Sequence, residues 1–281
     1  MEVVREIKKL KSILSEFRKN GKKVGFVPTM GALHAGHISL IESSIKDNDY
    51  TIISIFVNPT QFNNSSDLEK YPRTLSKDLK LLESTQCDFV FNPGVNEIYS
   101  KDFVPSVVPL GELENLMEGT FRPGHFKGVV NVVERLFSII EPHKAYFGRK
   151  DFQQVSIIRH MNSFLNLGIE IIECTTKREI SGLAMSSRNR FLTEAERKNA
   201  TFIYTSLTKA KNLSREKSPK EITSLIETDF KLSTLELEYF SIVDPISLKT
   251  LADEWVAGAT ACVVAHCGNV RLIDNLEIIE K

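Results

Sequence analysis

Over residues 3–19 apolar positions recur at helical spacing (Val3, Ile7, Leu10, Ile13, Leu14, Phe17), and Asn20-Gly21 follows as a C-cap signal, so a helix is predicted there. Val24–Val27 then reads as a short strand, Pro28–Gly31 as a loop and 38–46 as a helix. Thr51–Val57 is β-branched or apolar almost throughout, the pattern of a strand covered on both faces of a parallel sheet. Asn58-Pro59 ends it, because proline cannot donate to a ladder. The alternation continues with a helix over 68–85, a strand at Phe89–Phe91, a helix over 128–140, a strand at Lys144–Phe147, a helix over 151–167 and a strand at Glu170–Cys174. Strands alternating with helices in this way predict an α/β fold, a doubly wound (Rossmann-like) parallel sheet. Beyond about residue 180 the pattern changes. Thr193 with Glu196 three residues on is a capping box opening a helix to about Leu213, and a second helix covers 221–231. Strand-like segments follow at 237–243, 260–266 and 271–279. The expected division is a domain over 1–177 and a smaller C-terminal α+β domain over 178–281 that acts as a lid.

Composition narrows the class. Of 281 residues, 42% are hydrophobic and 26% charged, so a sizeable core is possible and wholesale disorder is not expected. Lys plus Arg total 36 and Asp plus Glu total 36, and a net charge of zero argues against a nucleic-acid partner. No stretch approaches the roughly 18–20 apolar residues that span a bilayer. The N-terminus enters a charged amphipathic pattern with no signal-peptide core. The four cysteines (Cys87, Cys174, Cys262, Cys267) show neither CxxC spacing nor a disulfide framework. A reduced, cytoplasmic protein is expected.

The passage from Val24 to His37 carries the strongest chemical signal. A first strand feeds a glycine-containing loop that opens a helix, which places a helix N-terminus at the carboxyl end of a strand, where doubly wound sheets bind ligands. Free backbone N–H groups there and the helix dipole favour an anion. His34 and His37 are three apart and face the same way, and Gly36 between them leaves the backbone bare. Outside this context a His-x-x-His pair reads as surface or as half of a metal site. Walker A and G-x-G-x-x-G patterns are absent from the sequence, so P-loop kinase and dinucleotide-binding readings lack support.

The segment Pro28-Thr29-Met30-Gly31-Ala32-Leu33-His34-Ala35-Gly36-His37 resembles the HxGH signature of the nucleotidyltransferase superfamily. Further blocks narrow the resemblance to the pantothenate synthetase (pantoate–β-alanine ligase) family: Phe56–Phe62, Asp67–Leu75, Glu118–Val129, Phe147–Gln154, Ser181–Asn189 and Arg271–Asn275. The resemblance implies ATP-dependent condensation of pantoate with β-alanine through pantoyl adenylate, releasing AMP and pyrophosphate. It implies an ATP site built from Met30–His37, Gly148–Asp151 (with Arg149 and Lys150), Lys177 and Met185–Arg188 (with Ser186 and Ser187). His37 is implied as general acid, with His34, Lys150 and Arg188 beside it on the phosphates, and Lys177 reaches adenine through its backbone. Gln61 is implied in binding pantoate and β-alanine, and Gln154 in binding pantoate. An amide suits pantoate because it both donates and accepts, and it leaves the nucleophilic carboxylate charged.

Arg149 departs from the residues common at its place in the family, and either phosphate or solvent is open to it. Arg122–Phe126 and Tyr71–Arg73 read equally well as structural turns. Cys262, His266 and Cys267 read as core rather than as a metal site. Mg²⁺ is expected to arrive with ATP, which needs few protein ligands. The family implies a homodimer, with Thr51–Val57 or the following helix as candidate pairing surfaces. Two other readings stay open: a nucleotidylyltransferase, which releases pyrophosphate without AMP, and an adenine-nucleotide sensor, which binds ATP without turnover.

Overall fold

A computed structural model of the chain describes residues 1–62 and 65–280, with 65–67 as backbone only. The chain forms two compact units, Met1–Gly148 with Ile157–Cys174, and Arg149–Ser156 with Thr175–Lys281. The first contains, in chain order, β1 (Glu2–Val4), α1 (Ile7–Lys19), β2 (Val24–Thr29), α2 (Ala35–Asp47), β3 (Tyr50–Ile55), α3 (Ser65–Lys70), α4 (Leu75–Leu82), β4 (Phe89–Phe91), α5 (Val95–Ile98), α6 (Glu118–Phe121), α7 (His125–Ile140), β5 (Lys144–Gly148), α8 (Phe152–Phe164, its first turn in the second unit) and β6 (Glu170–Cys174). Its sheet is parallel throughout, in the order β1-β4-β3-β2-β5-β6. From β2 the chain winds outward through β3 and β4, then returns to β5 on the other side of β2. The neighbours β2 and β5 therefore flank the point where the winding reverses, the ligand crevice of such folds.

Alternation along the strands sends successive side chains to opposite faces. Val27 packs with Leu40, Ile41, Ile53 and Leu82 beneath α2 and α4, whereas the Phe26 ring meets Phe137 of α7 edge-on at 6.3 Å. Tyr146 lies at the centre of the first face with its hydroxyl satisfied: it accepts from Asn48 Nδ2 at 2.8 Å and donates to Asp47 Oδ2 at 3.1 Å.

The structure departs from expectation at several element ends, each for a local reason. Residues 2–4 form a strand on β4 instead of opening α1. Pro28-Thr29 continues β2 instead of leaving it, because the β5 ladder stops at Phe26 and only β3 still pairs there. The helix expected over 68–85 breaks at 71–74, where Pro72 forces the preceding residue out of the helical region. β3 is paired on both edges and buried along most of its length, so it offers no strand edge to a second copy.

The second unit is α+β as expected, with α9 (Glu194–Leu213) and α10 (Pro219–Lys231) packed on the antiparallel strands β7 (Glu236–Val243), β8 (Thr260–Cys267) and β9 (Val270–Glu277). The Thr193–Glu196 capping box forms: Thr193 Oγ1 accepts from Glu196 N–H at 3.2 Å, and Glu196 Oε2 accepts from Thr193 N–H at 2.8 Å. Ile203, Leu207, Ile222, Ile226, Phe230, Phe240 and Val263 make up its core. Among the described residues no helix is long and apolar enough to cross a membrane.

Candidate active site

In the first unit the HxGH segment begins α2 at Ala35, three residues before the expected start, because histidine side chains cap it. His34 is the N-cap, and its Nδ1 accepts from Gly36 N–H at 3.1 Å. His37 Nδ1 accepts from His34 N–H at 3.3 Å, and the rings lie 4.1 Å apart at 38°. An Nδ1 that accepts cannot carry the proton, so both imidazoles hold it on Nε2. The strand–loop–helix context thus brings the two rings together and fixes their tautomers.

The loop amides fare differently from the expectation of free N–H groups. Gly31 N–H donates to Thr29 Oγ1 at 3.1 Å, while Ala32 and Leu33 N–H donate to the Asp78 carboxylate at 3.0 and 2.9 Å. His37 and Ile38 N–H already reach the His34 carbonyl. Most of the helix terminus is therefore satisfied internally, leaving the imidazoles and the helix dipole as its polar features. Gly31 is obligatory here. Its φ is +81°, and a Cβ would stand 3.0 Å from Ile55 Cγ2 and 3.1 Å from Asp78 Oδ2.

Gln61 sits in the same unit, buried in the 3₁₀ turn Pro59–Gln61 that follows β3. Its Oε1 accepts from Asn58 Nδ2 at 3.1 Å, and its Nε2 lies 3.1 Å from Met30 Sδ. Asn58 Oδ1 accepts from Tyr99 Oη at 2.7 Å and from Thr60 Oγ1 at 3.0 Å, which orients the Asn58 amide and through it the Gln61 amide, whose Nε2 faces Met30 Sδ. His125, in the segment read as a turn, holds the Gln61 carbonyl: its Nδ1 is 2.8 Å from that oxygen and its Nε2 is 3.1 Å from Arg122 Nη1. Arginine can only donate, so Nε2 accepts and the ring proton on Nδ1 points at Gln61. Gly148 ends β5 beside β2, and no described atom lies within 4 Å of where its Cβ would stand.

In the second unit a small pocket brings Lys150, Ser186 and Arg188 together with Asn189, Arg271 and Asp274. Lys150 Nζ is 3.5 Å from the exposed Asp151. The backbone carbonyls of Arg149 and Lys150 both accept from Asn275 Nδ2 at 2.9 Å, so the end of β9 holds the Lys150 segment. The Arg149 guanidinium is bound to Glu277 at 2.6 Å, and it serves as a tie to β9. Ser186 caps the short 3₁₀ turn Ser187–Phe191, its Oγ accepting from Arg188 N–H at 3.2 Å, so its side chain serves as a structural cap. The Lys177 carbonyl accepts from Met185 N–H at 2.9 Å, which joins those two expected nucleotide segments. Beneath the pocket, Asp274 receives both Nη1 and Nη2 of Arg178 at 2.6 and 3.0 Å. Burial pushes this carboxyl up, and the guanidinium opposes that by holding the ionised form. Gln154 lies half-buried on the first turn of α8.

Burial sets the state of three of the thiols. Burial pushes the Cys87 thiol up to about 12, and it also raises Cys174 and Cys267, the reverse of an activated thiolate. No three His, Cys, Asp or Glu side chains among the described residues cluster to hold a metal.

The model of the Pantoate-beta-alanine ligase family matches residues 2–277. The chain belongs to that family. It is 45% identical over 284 residues to the pantothenate synthetase of Bacteroides fragilis, covering all of both chains. It is 46% identical over 281 residues to that of Christiangramia forsetii, covering 99% of each. Its fold is similar to the crystal structure of the pantothenate synthetase from Thermus thermophilus, with a TM-score of 0.93 and 40% identity over 99% of this chain and 100% of that one. A pantoate-beta-alanine ligase from Francisella tularensis, solved with βγ-ATP and β-alanine, superimposes with a TM-score of 0.81 at 37% identity, covering 99% of this chain and 98% of that one. In this pantoate–β-alanine ligase chain the residues that sequence reading missed are supports: Asp78, Asn58, Tyr99 and Asn275. Their signal lies in pairings 41 to 126 residues apart, as in Tyr99 with Asn58 and Asn275 with Arg149, which no local motif reveals.

Proposed function

We propose that this chain condenses (R)-pantoate with β-alanine at the expense of ATP, forming pantothenate through pantoyl adenylate and releasing AMP and pyrophosphate. The observation that carries the reading is the pair of imidazoles locked at the N-terminus of α2, each with its proton on Nε2, beside the reversal point of the sheet. A pantoate carboxylate oxygen attacks the α-phosphorus and pyrophosphate leaves; the β-alanine amine then attacks the acyl carbon and AMP leaves. Negative charge grows on the departing phosphates in the first step, so preorganised donors supply most of the acceleration. His37 and His34 supply Nε2–H hydrogen bonds to the departing phosphates, and His37 acts as the acid on the leaving group from its doubly protonated form, in which Nδ1 gives up the His34 N–H. Lys150 and Arg188 supply cations, Lys150 as a point charge and Arg188 as a planar fork.

The Gln61 amide carries both a donor and an acceptor, which suits a carboxylate and hydroxyls and supports its assignment to pantoate and β-alanine, with Gln154 as a second pantoate contact. Met30–His37, Gly148–Asp151, Lys177 and Met185–Arg188 are assigned to ATP. On this reading 1–177 binds ATP and pantoate, and 178–281 is the lid. Mg²⁺ enters as part of the nucleotide substrate, since no carboxylate cluster stands ready for it among the described residues. A cytoplasmic homodimer completes the proposal, and light scattering of the purified chain tests the dimer.

The deciding experiment follows AMP and pyrophosphate separately with ATP, Mg²⁺ and D-pantoate, with and without β-alanine. Sustained AMP release only with both acids present is expected. Pyrophosphate without AMP would favour a nucleotidylyltransferase, and ATP binding without turnover would favour a sensor.

A further inference from the structure

We propose that Asp78 is the positioning residue of the nucleotide loop, a buried carboxylate that sets the Gly31–His34 backbone before any ligand arrives. The inference rests on the ATP-binding reading above. Asp78 lies on α4 and is 2% exposed. Its Oδ2 accepts from Ala32 N–H at 3.0 Å and its Oδ1 from Leu33 N–H at 2.9 Å, and Thr74 Oγ1 stands 3.2 and 3.3 Å from the two oxygens. Among the described residues no basic side chain pairs with it.

A carboxylate without a counter-ion beneath a loop that receives a triphosphate works against the ligand's charge, so its presence needs a geometric reason. Two consecutive N–H groups converge on this side chain, and only a group that accepts at both oxygens can take both. An asparagine would turn its own NH₂ toward one of them. The loop needs such a hold because Gly31 and Ala32 both have positive φ, +81° and +51°, and Ala32 has no intrinsic preference for that region. Immediately after the clamped pair comes His34, the cap whose ring meets His37. The clamp thus fixes the direction in which the two imidazoles project, and it does so by withdrawing the Ala32 and Leu33 amides from the ligand.

The test compares Asp78→Asn with Asp88→Asn. Asp88 also accepts a backbone N–H, that of Thr51 at 2.8 Å, so it reports the loss of a half-buried carboxylate away from the loop. Both variants are expected to melt earlier. Only Asp78→Asn is expected to raise KM for ATP, by about 10- to 100-fold, with KM for pantoate within about twofold. Amide exchange on the ligand-free wild-type chain is expected to show slow Ala32 and Leu33 amides that become fast in Asp78→Asn. A folded Asp78→Asn with wild-type KM for ATP overturns the proposal, as do fast Ala32 and Leu33 amides in the wild type. If Asp78→Asn does not fold, Thr74→Val takes its place. A rise of about threefold in KM for ATP supports the clamp, and no rise overturns it. Should the wild type fail to turn over ATP at all, the functional reading falls while the exchange measurement still judges the clamp.

Discussion

Gly128→Ala tests how the Gln61 turn is seated. Gly128 lies in the first turn of α7, and a Cβ there would stand 2.4 Å from the Thr60 carbonyl oxygen, 2.6 Å from its carbon and 2.7 Å from Gln61 Cα. All three are backbone atoms, so no side chain can swing aside. Restoring an ordinary contact of 3.4 Å moves the helix and the turn apart by about 1 Å. That stretches the bond from Asn58 Nδ2 to the Gly128 carbonyl from 3.0 Å to about 4 Å, past hydrogen bonding. Asn58 is 1% exposed, so losing the acceptor of one of its two amide N–H groups costs about 1–3 kcal/mol. Overpacking adds about 1–3 kcal/mol, and the helix preference of Ala over Gly returns at most about 1 kcal/mol. The expected net loss is roughly 1–6 kcal/mol, seen by calorimetry as a melting temperature lower by several degrees. A displacement of about 1 Å at a substrate amide costs up to about 10²-fold, so KM for pantoate should rise by one to two orders of magnitude while ATP affinity stays within about twofold. The assay is AMP release across a pantoate titration. Wild-type melting together with wild-type KM for pantoate would refute the idea that close approach of α7 seats Gln61.

Three further outcomes are expected. His37→Ala should keep the fold and lose about 10²- to 10⁴-fold in pyrophosphate release; near-normal release would remove His37 from the chemistry. Asn275→Ala frees the Arg149 and Lys150 carbonyls and should raise KM for ATP about tenfold, and an unchanged KM would show that the β9 anchor is dispensable. Burial alone would raise Glu238, but Arg271 at 2.6 Å and His266 at 3.0 Å outweigh it and hold the carboxyl below its ordinary value. The folded chain then binds fewer protons than the unfolded one, so this stability is present at neutral pH and is lost as pH falls through the carboxylate range. Urea midpoints at pH 7 and pH 4.5 should differ less in Glu238→Gln than in wild type, and an equal difference would remove Glu238 from the acid response.

Much of the architecture was legible because burial writes itself into local pattern. The run of β-branched residues that became β3 announces a strand covered on both faces, and Thr193 with Glu196 announces a helix start. The start of α2 was not legible, since histidine is outside the usual set of capping side chains and Gly36 reads as loop. β1 was hidden by its three residues, too few for a period and easily absorbed into the helical stripe that follows. The break between α3 and α4 was written in Pro72 but overridden by the apolar spacing around it. At the site, the imidazole pair was legible as a motif. The groups that hold it were not, because Asp78 meets Ala32 across 46 residues and Asn275 meets Lys150 across 125.

The edge strand β1 has a consequence for the order in which the chain is made. Glu2–Val4 pairs only with Phe89–Phe91, and the first N–H of α1, on Ile7, is capped by Glu97 Oε1 at 2.6 Å, 90 residues further on. At roughly 5–20 residues per second of synthesis, this segment waits on the order of 5–20 s for its partners. The central ladder of β2 and β3 forms from residues closer in sequence and can precede it. Residues 2–4 are thus among the last of the sheet to find their place, and in that interval the apolar stripe of α1 depends on chaperones or on provisional contacts for cover.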